Sequence, residues 1–165
     1  MKRHTGMTFV VAALLTLSSA ASAASPSPTI IPSSPTTDGF GIGFILGDPS
    51  GISASLPVGA NNAFNVLAGY QTSYGGANLA LLGDYVWHVR DLIPVEVGKI
   101  SFYYGPGVRT LFAREFEAGI RVVLGVDYLF EGTPLQALFE ISPGINIVPD
   151  TEPTVTGGLG LRYFF

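Results

Sequence analysis

The stretch Val155-Thr-Gly-Gly-Leu-Gly-Leu-Arg-Tyr-Phe-Phe165 at the end of the chain decides how the rest of it is read. Successive side chains of an extended strand point to opposite sides. Val155, Gly157, Leu159, Leu161, Tyr163 and Phe165 therefore share one face, and Thr156, Gly158, Gly160, Arg162 and Phe164 share the other. One face is apolar, and the other is small or charged.

The same two-faced alternation recurs upstream in short runs separated by Gly, Pro, Asn and Asp turns, which is the signature of strands. In the seventh run Leu135, Ala137, Phe139, Ile141, Pro143 and Ile145 oppose Gln136, Leu138, Glu140, Ser142, Gly144 and Asn146. In the sixth, Ile120, Val122, Leu124, Val126 and Tyr128 oppose Glu117, Gly119, Arg121, Val123, Gly125 and Asp127. The fifth sets Phe102, Tyr104 and Val108 against Tyr103, Gly105, Gly107 and Arg109, and the fourth sets Leu81, Tyr85 and Trp87 against Asp84, Val86 and His88. Three shorter, less sharply two-faced runs lie near Phe40–Leu46, Ile52–Val58 and Ala63–Gln71. That makes eight strands between Gly39 and Phe165.

Composition agrees. A chain of 165 residues holds one domain. It is 47% hydrophobic but only 12% charged, against roughly 25% charged in an ordinary soluble domain. Mean hydropathy is +0.43. With 21 Gly, 12 Pro and no long apolar run beyond the N-terminus, a helical membrane bundle is excluded. The lack of Cys excludes a disulfide framework, a Cys-ligated zinc site, a thiol nucleophile and a lipid-modified N-terminal Cys. A formal charge of −4 and a pI near 4.9 argue against nucleic acid as a partner.

Lys2, Arg3 and His4 precede an apolar run from Met7 to Leu17, and Ala21-Ser-Ala23 supplies a small-x-small exit. The pattern predicts a signal peptide over residues 1–23, cleaved after Ala23. A Pro/Ser/Thr-rich linker follows over residues 24–38, and the barrel occupies residues 39–165. Loss of Lys2 and Arg3 takes the formal charge from −4 to −6 and leaves Lys99 and His88 as the single lysine and histidine.

Alternation alone leaves the barrel's polarity open, because a soluble barrel turns its apolar face inward and a membrane barrel turns it outward. Three features favour the membrane. The polar face carries Gly, Ser and Asn with isolated charges, where a solvated surface would carry Lys and Glu. The runs approach the nine to eleven residues of a tilted spanning strand. Trp87, Phe102, Tyr128, Phe130, Tyr163 and Phe165 fall at strand ends that share one rim, as an interfacial girdle does.

The segment Leu159-Gly-Leu-Arg-Tyr-Phe-Phe165 resembles the C-terminal sorting signal of bacterial outer-membrane barrels, which places Leu159, Leu161, Tyr163 and Phe165 in that signal. Read with Gly41-Ile-Gly-Phe-Ile-Leu-Gly-Asp-Pro-Ser-Gly51, Asp84-Tyr-Val-Trp-His88 and Tyr103-Tyr-Gly-Pro-Gly107, the chain is similar to a family of small outer-membrane proteins. That family has spirochaetal members and is related to the OmpA transmembrane domain. The resemblance implies an all-β fold, an eight-stranded antiparallel up-and-down transmembrane barrel, and no established activity. It also implies outer-membrane lipid and the barrel-assembly machinery as partners.

Arg109, Arg121 and Arg162 share the inward face with Asp84, Asp127 and Glu140, three charges against three. Because eight strands enclose a space just wide enough for side chains, these charges are expected to pair and plug the lumen. A gated narrow pore whose pairs exchange partners is the alternative. His88 is the one group able to act as a neutral base, yet no serine stands in a recognisable motif with it. It is expected as a rim or lumen hydrogen-bonder. One His and no Cys provide no metal site, and the Gly41-x-Gly43 and Gly157-Gly-x-Gly160 patterns have no following helix to make a phosphate loop.

The sequence thus predicts a non-enzymatic, exported outer-membrane barrel with a charge-paired interior, no catalytic residue and no cofactor. Competing readings are a small-solute or ion channel, a lipid or peptide hydrolase using His88, and a soluble lipocalin-like carrier. The longest connection is expected from His88 to Lys99. The surplus acids Asp38, Asp48, Asp91, Glu96, Glu115, Glu131, Asp150 and Glu152 are expected in turns.

Overall fold

A computed structural model of the chain describes residues 39–72, 76–93 and 97–165, without the side chains of residues 91–93. The expected signal peptide and linker, residues 1–38, lie outside the described residues, as do Asp38 and Glu96.

Eight strands follow one another: β1 (Gly41–Asp48), β2 (Ser50–Pro57), β3 (Asn62–Gln71), β4 (Asn78–Ile93), β5 (Lys99–Phe112), β6 (Phe116–Leu129), β7 (Leu135–Val148) and β8 (Glu152–Phe164). Each pairs antiparallel with its neighbours in sequence, and β8 returns to β1 from Gly41↔Phe164 to Asp48↔Gly157. The result is the expected closed, eight-stranded antiparallel up-and-down barrel. Closure gives every strand a partner on both sides and leaves no edge to aggregate.

The connection between β4 and β5 corrects the sequence reading. β4 does not stop at His88 but continues to Ile93, so Asp91 lies in a strand and the connection shrinks to residues 94–98. Alternation is lost there because the β4–β5 ladder shifts register between Arg90 and Ile93. Three steps along β4 there stand against one along β5, so two extra residues on β4 break the local period of two. Gly98 closes the turn at φ 75°, a left-handed conformation, under a Tyr128 ring that leaves no room for a Cβ. At the opposite end Asp48 and Glu152 also belong to strands, and Pro49 alone joins β1 to β2. The Asp48 carboxylate accepts hydrogen bonds from Gln71 Nε2 and Thr72 N, both at 3.3 Å.

Outward residues are apolar and open, with Ile52, Val155 and Leu159 each more than 60% exposed. Aromatic side chains crowd the end of the barrel where the chain enters and leaves. Phe64, Tyr85 and Trp87 meet edge to face at 4.9 Å, Tyr128 meets Phe130 at 4.9 Å, and Tyr163 meets Phe165 at 5.0 Å. The far end carries a smaller pair, Phe112 and Phe116, at 5.5 Å.

The interior is less polar than the sequence suggests. Ile45, Leu67, Ala80, Leu82, Leu111 and Leu138 form one buried apolar cluster, and Ala63, Val86, Tyr103 and Val123 form a second. An eight-stranded lumen is filled by side chains, and small residues and glycines alone lack the volume to fill it.

Candidate functional site in the barrel interior

All six charged residues assigned to the inward face are buried: Asp84, Arg109, Arg121, Asp127, Glu140 and Arg162. They are not three simple pairs. Arg121 holds Asp84 with two parallel bonds, Nε to Oδ1 at 2.8 Å and Nη2 to Oδ2 at 2.6 Å. Its Nη1 donates to Thr156 Oγ1 at 3.1 Å, and Glu140 Oε1 stands 3.9 Å from Nη2. Glu140 Oε2 in turn accepts a hydrogen bond from the Tyr103 hydroxyl at 3.0 Å.

Arg109 binds a partner absent from the expected set. Its Nη1 donates to Asn146 Oδ1 at 2.6 Å and reaches Glu117 Oε2 at 3.3 Å, while Nη2 donates to Gln71 Oε1 at 2.8 Å. Asn146 Nδ2 also donates to Glu117 Oε2 at 2.8 Å. With Gln71 bonded to Asp48, the chain of contacts Asp48, Gln71, Arg109, Asn146, Glu117 spans β1, β3, β5, β7 and β6 near the far end. Arg162 Nε donates to Ser53 Oγ at 2.9 Å rather than to a carboxylate. Asp127 instead faces His88, with Nε2 to Oδ2 at 3.5 Å, and the His88 ring lies 5.4 Å from that of Tyr103. Among the described residues no group of three or more His, Cys, Asp or Glu converges as metal ligands.

One rule of placement accounts for four of these contacts. Asp84 pairs in register with Gly107, and Gly107 with Arg121, so the two charges meet over a strand that offers no side chain between them. Gly125 stands in the same way between Tyr103 and Glu140. Gly119 does so between Arg109 and Asn146, and Gly43 between Ser53 and Arg162. A Cβ on Gly107 would fall on the Asp84 carboxylate, and one on Gly125 would fall on the Tyr103 ring. Partners two strands apart are otherwise about 10 Å from each other, and the side chain of the middle residue fills the gap.

Glu117, Asn146 and Tyr103 were legible as inward by parity, since each lies on the same face of its strand as a charged member of the set, whereas Gln71 shares β3 with no charged residue. Glu117, one residue inside β6, stood on the polar face of the sixth run but was left out of the charge set, and counting only formal charges passed over the neutral donors and acceptors. Leu159, Leu161, Tyr163 and Phe165, the residues of the expected sorting signal, all point outward.

The intervening glycines give a direct expectation. Gly125→Ala is expected to push the Tyr103 ring off Glu140 and lower stability by about 1–3 kcal/mol, the cost of overpacking. Urea unfolding followed through Trp87, the single tryptophan, measures it. An unchanged midpoint would show that the ring is free to yield.

No protein-family model and no curated protein matches the chain. Among solved structures it is similar to the N-terminal β-barrel domain of Pseudomonas aeruginosa OprF, with a TM-score of 0.58 and 12% sequence identity. The similarity covers 78% of this chain and 98% of that domain. At that identity the likeness is one of fold, that of a β-barrel domain.

Proposed function

We propose that the chain is an integral protein of the bacterial outer membrane whose closed, charge-paired lumen suits it to a structural or interaction role. The observation that carries this reading is the inversion of polarity across the wall: exposed Ile, Leu and Val outside, buried Arg, Asp and Glu inside. Water would favour the reverse arrangement, whereas a hydrocarbon surround and a narrow polar lumen favour this one. The aromatic end and the outward Leu159-x-Leu161-x-Tyr163-x-Phe165 row support an interfacial girdle and recognition by the barrel-assembly machinery. The OprF-like fold and the resemblance to the small outer-membrane family point the same way. The His88 ring lies against Tyr103 at 5.4 Å and its Nε2 stands 3.5 Å from a buried Asp127 oxygen that accepts no hydrogen bond among the described residues, which supports a packing role for His88 rather than a catalytic one.

Cell fractionation with gel mobility of unheated and boiled samples tests the reading. The expected result is recovery in the outer-membrane fraction with a boiling-dependent shift. Recovery in a detergent-free periplasmic wash, with no shift, would overturn it in favour of a soluble carrier.

A narrow ion or small-solute channel is the second reading, and one observation favours it. Arg121 has two carboxylates within 4.0 Å, Asp84 engaged and Glu140 adjacent, so its guanidinium can exchange acceptors without leaving the lumen. Asn65 Oδ1, Gln136 Oε1 and Ser142 Oγ are buried with no hydrogen-bond partner among the described residues, which leaves polar valence along the interior. Conductance in planar bilayers that Glu140→Ala alters would establish this reading, and silence at high protein load would remove it.

A further inference from the structure

The outer wall is not uniformly convex. A groove of about 900 Å³ crosses it from β3 to β7, lined almost wholly by apolar atoms. Its axis follows one row of directly paired residues: Val66, Gly83, Val108, Ile120 and Ile145. Five strands at 4.7–4.9 Å make that row about 19 Å long. Gly83 is the notch. It occupies an outward position, and a Cβ there would meet nothing nearer than Val108 Cγ2 at 3.9 Å.

The adjacent row is lowered for a different reason. Pro106 and Pro143 face outward in β5 and β7, and both interrupt a ladder. Pairing of β4 with β5 skips from Asp84↔Gly107 to Trp87↔Tyr104, and pairing of β6 with β7 skips from Arg121↔Gly144 to Leu124↔Ile141. Proline has no N–H to donate and a short, flat side chain, so both seams sit low in the wall. Tyr85 stands at the edge of the groove with its hydroxyl accepting from Asn62 Nδ2 at 2.9 Å.

We propose that this groove is a specific binding site for one acyl chain of a membrane lipid. The inference rests on the outward face being the lipid face. The groove is continuous with that face and lies between the aromatic side chains of the two ends. Its exposed lining falls far short of the roughly 800 Å² per partner that a stable protein interface buries. A second copy would also have to seat a convex wall in a concave one, a heterologous contact rather than the self-complementary one of a two-fold dimer. A narrow apolar strip of this length suits a flexible hydrocarbon chain, whose contact gains nothing from polar partners.

The test uses full-length protein reconstituted into vesicles of phosphatidylethanolamine and phosphatidylglycerol, selected for its boiling-dependent gel shift, then released into mild detergent for native mass spectrometry. The expected result is a one-to-one lipid adduct for the unsubstituted chain and for Ala137→Leu, which enlarges the outer wall elsewhere. Gly83→Leu, whose Cβ meets nothing nearer than Val108 Cγ2 at 3.9 Å, is expected to lower the adduct roughly tenfold relative to free protein. Val108→Phe fills the same strip from β5 and covers the case in which Gly83→Leu fails to fold. No adduct on the unsubstituted chain, an undiminished adduct in the groove-filled variants, or an adduct with the mass of a second copy would each overturn the proposal. Failure to insert or to show the gel shift would instead overturn the membrane reading on which it rests.

Discussion

Arg121→Ala is expected to destabilise the barrel by about 3–5 kcal/mol, the cost of leaving buried charge without its partner. The side chains of Arg121, Asp84 and Glu140 are each 6% exposed or less, so water cannot replace the lost guanidinium. Two carboxylates face the vacated space: Asp84, which loses both of its short bonds, and Glu140, which keeps only Tyr103. Asp84→Ala is expected to cost less, because Arg121 retains Thr156 at 3.1 Å and has Glu140 within 3.9 Å as a replacement acceptor. The double variant Arg121→Met with Asp84→Leu is expected to recover much of the loss, since a buried ion pair replaced by apolar groups of similar volume is often neutral. Urea unfolding in lipid vesicles, read by the unheated gel band and by Trp87 fluorescence, ranks the three. The expected order of midpoints places Arg121→Ala lowest, by more than about 1 M below the unsubstituted chain. Equal midpoints for Arg121→Ala and Asp84→Ala would remove Glu140 from its role as second acceptor.

Parity made the wall legible and made the contacts across it only half legible. Once Val155–Phe165 sets the apolar face outward, the period of two carries that choice through every paired strand, because a slip of one residue would turn a whole strand inside out. Arg109, Arg121 and Arg162 were placed inward on this basis, and they are buried. Which group each arginine reaches depends on register between strands, and that is set by turn lengths and bulges that alternation does not report. So Arg162 finds Ser53, two strands away and 109 residues earlier, and Arg109 finds Asn146 and Glu117. In register, the inward glycines Gly107 and Gly119 are the gaps through which partners meet. The end of β4 was illegible for a related reason: the shift at Arg90 to Ile93 breaks the very period on which the reading depends.

Which side of the wall faces lipid is decided by substituting arginine along one strand. Ile141 is the seventh of the 14 residues of β7, faces outward and is 45% exposed, while Val148 ends the same strand at 44%. The two sites differ little in exposure and differ in depth. If the outer wall lies in hydrocarbon, Ile141→Arg places a cation near the bilayer midplane at a cost of about 2–4 kcal/mol, whereas Val148→Arg reaches the interface at about 0–1 kcal/mol. If the wall lay in water, both substitutions would act on exposed sites and stay within about 0.5 kcal/mol of the unsubstituted protein. The inward neighbours Glu140 and Ser142 keep their environment in either case, because a strand residue projects away from the face its neighbours occupy. Equilibrium unfolding in vesicles of both variants therefore reads the solvent directly. A steep fall from Val148 to Ile141 is the expected result. A flat response would return the barrel to the soluble class, with its exposed Ile, Leu and Val then calling for a partner to cover them.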